Sequence, residues 1–329
     1  MIGNNFIRHS LNSVEEIVTW KKLLSNYSLE SIHQQFENYK TCCHLDCVGF
    51  NRIKSSVESL FSINYMGHDF SPNFRYTIIP QDRPADFPYY FFRIRKLTRG
   101  CWLDINSDSI EFNTIEFEEI QTLKDIWERP AEQIENYQRL NEPYNSVLYT
   151  SLMPSTAILE TNLKEEDLFF LITYKSIGKF KYSDCCRFVY FNDLSEEENM
   201  KRYIMFYLLR DEFTRILLGS YKEGNQYCSA YEISKKFFIE GNVQGIQYPS
   251  TRGLGHKNFA FWGNIRDYLE FIGFRLCALV KKEGTQSDIR IIADGFWDEK
   301  SRKFKYFSPF SDKSKQIFGD ILLDAMMRK

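Results

Sequence analysis

From residue 88 onward the chain is written in short, aromatic-rich apolar runs, and these limit the fold more than any other feature. They are Tyr89-Tyr-Phe-Phe-Arg-Ile-Arg95, Leu168-Phe-Phe-Leu-Ile-Thr-Tyr174, Phe188-Val-Tyr-Phe191, Asn258-Phe-Ala-Phe-Trp262, Arg275-Leu-Cys-Ala-Leu-Val280 and Asp288-Ile-Arg-Ile-Ile-Ala293. Runs this short and this rich in β-branched and aromatic residues predict strands. With 29 phenylalanines and 20 tyrosines in 329 residues, aromatic pairs across neighbouring strands are expected.

Helical spacing appears elsewhere. Residues from about Ser13 to Leu60 repeat apolar positions at helical intervals, with Ser13 as an N-cap. Pro154 opens a helix that carries Ala157-Ile-Leu-Glu160. Further helices are predicted around Glu197–Leu218, Ala230–Glu240 and from about Ser314. Strands and helices do not alternate strictly, so the expected class is α+β rather than a doubly wound sheet. Pro80, Pro84 and Pro88, interleaved with Asp82, Arg83 and Asp86, break regular structure and predict a boundary. The expected organisation is a helical N-terminal region over 1–80 and a second, larger domain over 81–329.

Net charge is −2, so nothing supplies the basic stripe of a direct nucleic-acid binder. No apolar run approaches the eighteen or so residues that span a bilayer, and residues Met1 to Glu16 lack a secretory pattern. Eight cysteines at irregular spacing read as reduced thiols, and a cytoplasmic location is expected. Cys42, Cys43, His44 and Cys47 lack a second ligand pair at finger-like spacing and read as packing residues, so no metal is expected. Gly253-Leu-Gly255 is too short for a dinucleotide fingerprint.

The segment Arg139-Leu-Asn-Glu-Pro-Tyr-Asn-Ser-Val-Leu-Tyr-Thr-Ser-Leu-Met-Pro-Ser-Thr-Ala-Ile-Leu-Glu160 carries an arginine, an aromatic and a carboxylate on a loop–strand–helix unit. Arginine offers a planar fork that matches phosphate oxygens. An aromatic can hold a flat ring, and one carboxylate can stabilise a developing cation. Such a set suits cleavage of a bond whose leaving group is already positive, because no second carboxylate is needed as an acid. Taken singly, the residues have plainer readings: Arg139 a loop arginine, Tyr149 a packed strand aromatic, Glu160 a solvated helix residue, Ser250 a turn serine. His256 reads as a loop residue. Arg93 and Arg95 alternate on a strand and share a face.

Together these blocks resemble the RES-domain family of NAD-degrading toxins. Arg139, Asn141, Tyr149 and Thr156-Ala157 with Glu160 resemble its Arg-x-Asn-Pro-x-Gly, Leu-Tyr and Thr-Ala-x-x-Glu elements. Phe92-Arg93-Ile-Arg95 resembles the opening strand. Gly245-Ile-Gln-Tyr248-Pro-Ser250 and Asn258-Phe-Ala-Phe resemble two later blocks, and Tyr227 a tyrosine placed ahead of a helix. The resemblance covers roughly residues 88–262, which makes 81–329 the implied NAD-binding catalytic domain, with a core at about 88–262 and a C-terminal extension over 263–329.

It implies an ADP-ribosyltransferase-like mixed sheet and consumption of NAD as a substrate, with no resident cofactor. Arg139, Tyr149 and Glu160 are the implied catalytic residues; Arg93, Asn141, Tyr248 and Ser250 are the implied NAD-binding residues. Inorganic phosphate as an acceptor, a helix-turn-helix antitoxin partner and a homo-oligomer follow from the same resemblance. The chain departs from the pattern at Glu142, where the family has proline, and at Asn145, which stands at the turn glycine. A close alternative is ADP-ribosyl transfer to a protein, since loops set the acceptor; the departures, with the unmatched sequence at both ends, motivate another, a non-catalytic interaction protein of the same fold.

Overall fold

The computed structural model describes residues 7–9, 14–43, 49–65, 68–72, 74, 77–78, 89–97, 120–178, 180–215, 223–239, 243–253, 255–284, 286–309 and 311–327. The proline-rich stretch 80–88, Ser13, and His44 and Cys47 of the cysteine cluster lie outside them. The class is α+β. The chain forms two compact units, both discontinuous in sequence: residues 1–78, 130–146 and 181–248 in one, residues 79–129, 147–180 and 249–329 in the other.

The second unit is organised on an antiparallel sheet. Its described strands run in the order Lys303–Phe307, Gln286–Asp298, Leu269–Glu283, Leu168–Ser176, Tyr90–Lys96, Leu148–Ser151 and Lys257–Phe261. Leu168–Ser176 lies centrally, and its run from Phe169 to Tyr174 is buried without interruption. A strand covered on both faces needs apolar residues at successive positions, which is why this stretch reads as a solid apolar run. On one face Phe92, Phe169, Leu171, Cys277 and Leu279 pack with Ala157, Ile158, Phe318 and Ile321 of the helices Pro154–Glu160 and Asp312–Met327. Elsewhere in the unit Phe91 lies edge-on to Phe261 at 4.9 Å, and Phe170 to Phe274 at 4.8 Å, the aromatic pairing the composition predicts.

The C-terminal helix is fixed to this sheet by buried polar groups. The Arg275 guanidinium pairs with Asp294 at 3.3 Å, the Ser314 hydroxyl donates to the other oxygen of Asp294, and Arg275 lies 4.5 Å from the Phe318 ring. A Cβ on Gly273 would sit 2.8 Å from the Gly295 carbonyl oxygen and 2.9 Å from Phe318, so the close approach of helix and strand depends on that glycine.

The first unit is largely helical. Its long helix Glu196–Thr214 begins with a reciprocal cap, in which the Glu198 amide donates to Ser195 Oγ at 3.2 Å and the Ser195 amide to Glu198 Oε2 at 2.7 Å. Asn199, Arg202, Met205, Phe206, Leu209, Glu212 and Phe213 form its buried stripe at helical spacing.

The N-terminal helices Val14–Ser25, Leu29–Cys43 and Phe50–Ser59 do not stand apart as a region of their own. Each has one apolar stripe to bury, and the partners come from residues 181–248. Trp20 lies 4.5 Å from the Arg202 guanidinium, and the Lys236 ammonium donates to the carbonyls of Val57, Glu58 and Leu60 at the end of the third helix. Strands in this unit are short: Gly245–Pro249 pairs in parallel with Tyr182–Asp184, and Ile7–His9 in parallel with Val189–Phe191. Across the chain the pairing is therefore mixed.

Candidate active site

In the second unit, Leu148–Ser151 and Lys257–Phe261 run antiparallel with Tyr149 opposite Ala260 and Ser151 opposite Asn258. Pro154 sits in the first turn of the following helix, where a missing amide costs nothing, and Glu160 is that helix's last residue. Its half-buried carboxylate is held from two directions. The Ser250 hydroxyl donates to Glu160 Oε1 at 2.6 Å, and the Asn258 amide donates to the same oxygen at 2.7 Å. Ser151 in turn donates to Asn258 Oδ1 at 2.8 Å. Both Asn258 and Ser151 are buried. Among the described residues Oε2 accepts no hydrogen bond, and no lysine or arginine pairs with the carboxylate.

The loop that carries Ser250 is closed on itself. The Ser250 amide donates to the His256 carbonyl at 2.8 Å, the His256 amide to Gly253 at 3.2 Å, and the Arg252 amide to Ser250 Oγ at 3.0 Å. The His256 ring shares a 2.7 Å hydrogen bond with the Thr156 hydroxyl and lies against Gly253, where a Cβ would meet Cδ2 at 2.7 Å. His256 is a loop residue, as read from the sequence, and it ties the loop to the Glu160 helix through Thr156.

Arg93 and Arg95 do share a face, and both reach the short helix Leu123–Ile126. Arg93 Nη1 donates to the carbonyls of Ile126 and Trp127, and Arg95 Nη1 to that of Asp125. The buried Tyr174 hydroxyl donates to the Ile126 carbonyl as well. These arginines satisfy carbonyls at a helix end, the placement a cation at a C-terminus favours.

In the first unit, Arg139 occupies the tip of a tight turn between Gln138 and Asn141, where the Gln138 amide donates to the Asn141 carbonyl at 2.8 Å. Its guanidinium lies 5.9 Å from the ring of the buried Tyr248, which packs edge-on against Phe213. Asn141 is fully buried and donates to the Asn145 carbonyl at 3.0 Å, so its side chain shapes the loop. The left-handed residue there is Tyr144, at φ 62°, and not Asn145. The turn is backed by Tyr137, whose ring lies 5.1 Å from Phe50 and 5.8 Å from Tyr231. Burial pushes the Tyr137 hydroxyl up to about 12. Tyr227 lies inside the helix Glu223–Ile233, which starts earlier than the sequence suggests.

Thus the structure joins Glu160 to Ser250 across ninety positions of sequence and keeps both in one unit with Tyr149. Arg139, Asn141 and Tyr248 belong to the other unit. Sequence reasoning did not single out Asn258, Ser151 or Thr156 for the site. The available signal was Asn258 leading an otherwise apolar strand, where a buried amide must find a partner. No described group of three or more His, Cys, Asp and Glu residues is arranged to hold a metal ion, and no described helix is long and apolar enough to cross a membrane. The sequence matches no protein-family model and has no match among curated proteins.

Proposed function

We propose that the chain consumes NAD by cleaving the bond between nicotinamide and ribose, as its resemblance to the RES-domain family implies. One observation carries this reading: the carboxylate of Glu160 is pinned at Oε1 by Ser250 and Asn258, and among the described residues no cation pairs with it and none donates to Oε2. A carboxylate placed only for stability is normally neutralised by a cation or buried donors on both oxygens.

The chemistry asks little of the protein in the way of proton transfer. As the ribose C1′–N bond breaks, its electron pair moves onto the pyridinium nitrogen, and nicotinamide leaves neutral. Positive charge builds on C1′ and the ring oxygen, and the Glu160 carboxylate stabilises it. Water then adds at C1′ and loses a proton, giving ADP-ribose; inorganic phosphate in place of water gives the 1-phosphate. Ser250 binds ribose or the amide, and Tyr149 positions the nicotinamide or ribose. Arg93, held by backbone carbonyls, serves the site indirectly at most.

The same reading carries the ADP-ribosyltransferase-like fold, a cytoplasmic toxin role, restraint by a helix-turn-helix antitoxin, and self-association as the family implies. The test is release of free nicotinamide from NAD by the purified chain, with and without phosphate, against Glu160→Ala. Release that depends on Glu160 supports the reading. Label from NAD appearing on a protein band reassigns the acceptor to a protein, and binding without release points to an interaction protein.

A further inference from the structure

The Glu160 carboxylate is only the middle of a chain of hydrogen bonds whose direction is fixed. A carboxylate can only accept, so the Asn258 side chain must turn its Nδ2 toward Glu160. That leaves Oδ1 for the Ser151 hydroxyl, which donates to it at 2.8 Å. Ser151 and Asn258 face each other in the register of the two strands, and both are buried, so the amide has one orientation available. Ser250 also donates to Oε1, at 2.6 Å, and accepts from the Arg252 amide at 3.0 Å. Every bond therefore runs toward Oε1.

We infer that Asn258, oriented by Ser151, is a positioning residue that holds Glu160 in the rotamer presenting Oε2 to the substrate. The inference rests on the NAD-cleavage reading for its kinetic consequence, but the hydrogen-bond chain itself stands without it. Glu160 is the last residue of its helix, where the backbone gives less restraint than in a helix interior. Ser250 lies on a loop, whereas Asn258 lies on a paired strand, so Asn258 is the more rigid of the two anchors.

Asn258→Asp separates positioning from packing. Aspartate keeps the shape of asparagine and the acceptor for Ser151, but replaces the donor facing Glu160 with a second carboxylate. If Asn258 merely filled space, Asp would be milder than Ala. If it positions Glu160 by donation, Asp is at least as damaging as Ala at pH 8, each lowering kcat about 10- to 100-fold with KM changed less than about threefold. At pH 5.5 the aspartate variant regains kcat relative to Ala, because two facing carboxylates share a proton and that proton supplies the missing donor. Ser151→Ala, which frees the amide, gives a smaller loss and adds nothing in an Asn258→Ala background.

An Asn258→Asp variant faster than Ala at pH 8, or one without recovery at pH 5.5, overturns the inference. Should the wild-type chain release no nicotinamide, the NAD reading falls by itself. The side-chain amide resonances of Asn258 then decide the positioning claim: a shift on Glu160→Gln supports it, and unchanged resonances overturn it.

Discussion

Two carboxylates in the same unit, Glu160 and Asp294, each accept from a serine hydroxyl, yet their surroundings differ in kind. Asp294 is fully buried, with Ser314 on one oxygen and the Arg275 cation beside the other. Burial pushes its carboxyl up, while Ser314 and Arg275 pull against that rise. Glu160 is half-buried, and its bonds come from the neutral donors Ser250 and Asn258, both on one oxygen. Asp294 fastens the C-terminal helix to the sheet. Glu160 is held by neutral donors, and no described cation pairs with it, which makes it the candidate for chemistry.

The sharpest break of this comparison is to remove each acid in turn. Glu160→Gln is expected to lower nicotinamide release from NAD by about 100- to 1,000-fold, with a denaturation midpoint close to wild type. Asp294→Ala is expected to do the reverse: it strands the buried Arg275 cation and costs about 3–5 kcal/mol of stability in chemical denaturation. If Glu160→Gln destabilises as much as Asp294→Ala, the distinction between the two acids is lost.

A finer probe uses the loop that holds Ser250. Gly253→Ala pushes a methyl into the His256 ring and breaks its bond to Thr156, so kcat should fall about ten- to a hundredfold. Thr156→Val, which removes the same bond without the clash, should cost less. Equal activity in all three proteins would show that the loop tie is irrelevant to Glu160.

The smallest effect concerns a third acid of this unit, Asp298, which is held down to about 2 by hydrogen bonds from Lys305 and Ser301. A carboxyl depressed below its ordinary value contributes stability above about pH 4 and loses it as the pH falls toward 2. Because its partners are on the surface, Asp298→Asn should change thermal stability at pH 6 less than Asp294→Ala does, and the difference should vanish at pH 2. A larger change would mean that the Asp298–Lys303 turn supports more of the sheet than its exposure suggests.

Much of the second unit was legible because its strands are local signals. Leu168–Tyr174 is a solid apolar run since both faces are covered, and Pro154 marked the start of the helix that ends at Glu160. The strand read at Arg275–Val280 proved to be the middle of Leu269–Glu283, because its charged C-terminal end gains its pairing from Gln286–Ser287 across a turn and its N-terminal end, Leu269–Phe271, from Tyr174–Ser176. The two discontinuous units were not legible, since periodicity reports a face to be buried and not the partner that buries it.

The site shows the same division. Nothing local links Glu160 to Ser250; only the order of the motif blocks, set against a family pattern, suggested that they meet. The resemblance gave Arg93 and Asn141 ligand-binding roles, and in the structure each donates to backbone carbonyls. Asn258 was read as the head of a motif block and given no role at the site, because its meaning depends on a strand partner that the sequence alone does not identify.

The most direct test of the central claim is to measure binding and cleavage of NAD side by side in wild type and Glu160→Gln, using calorimetry and released nicotinamide. Both proteins are expected to bind NAD within a few-fold of each other, while only the wild type cleaves it at an appreciable rate. Equal cleavage by the two proteins, or no detectable binding by either, would contradict it.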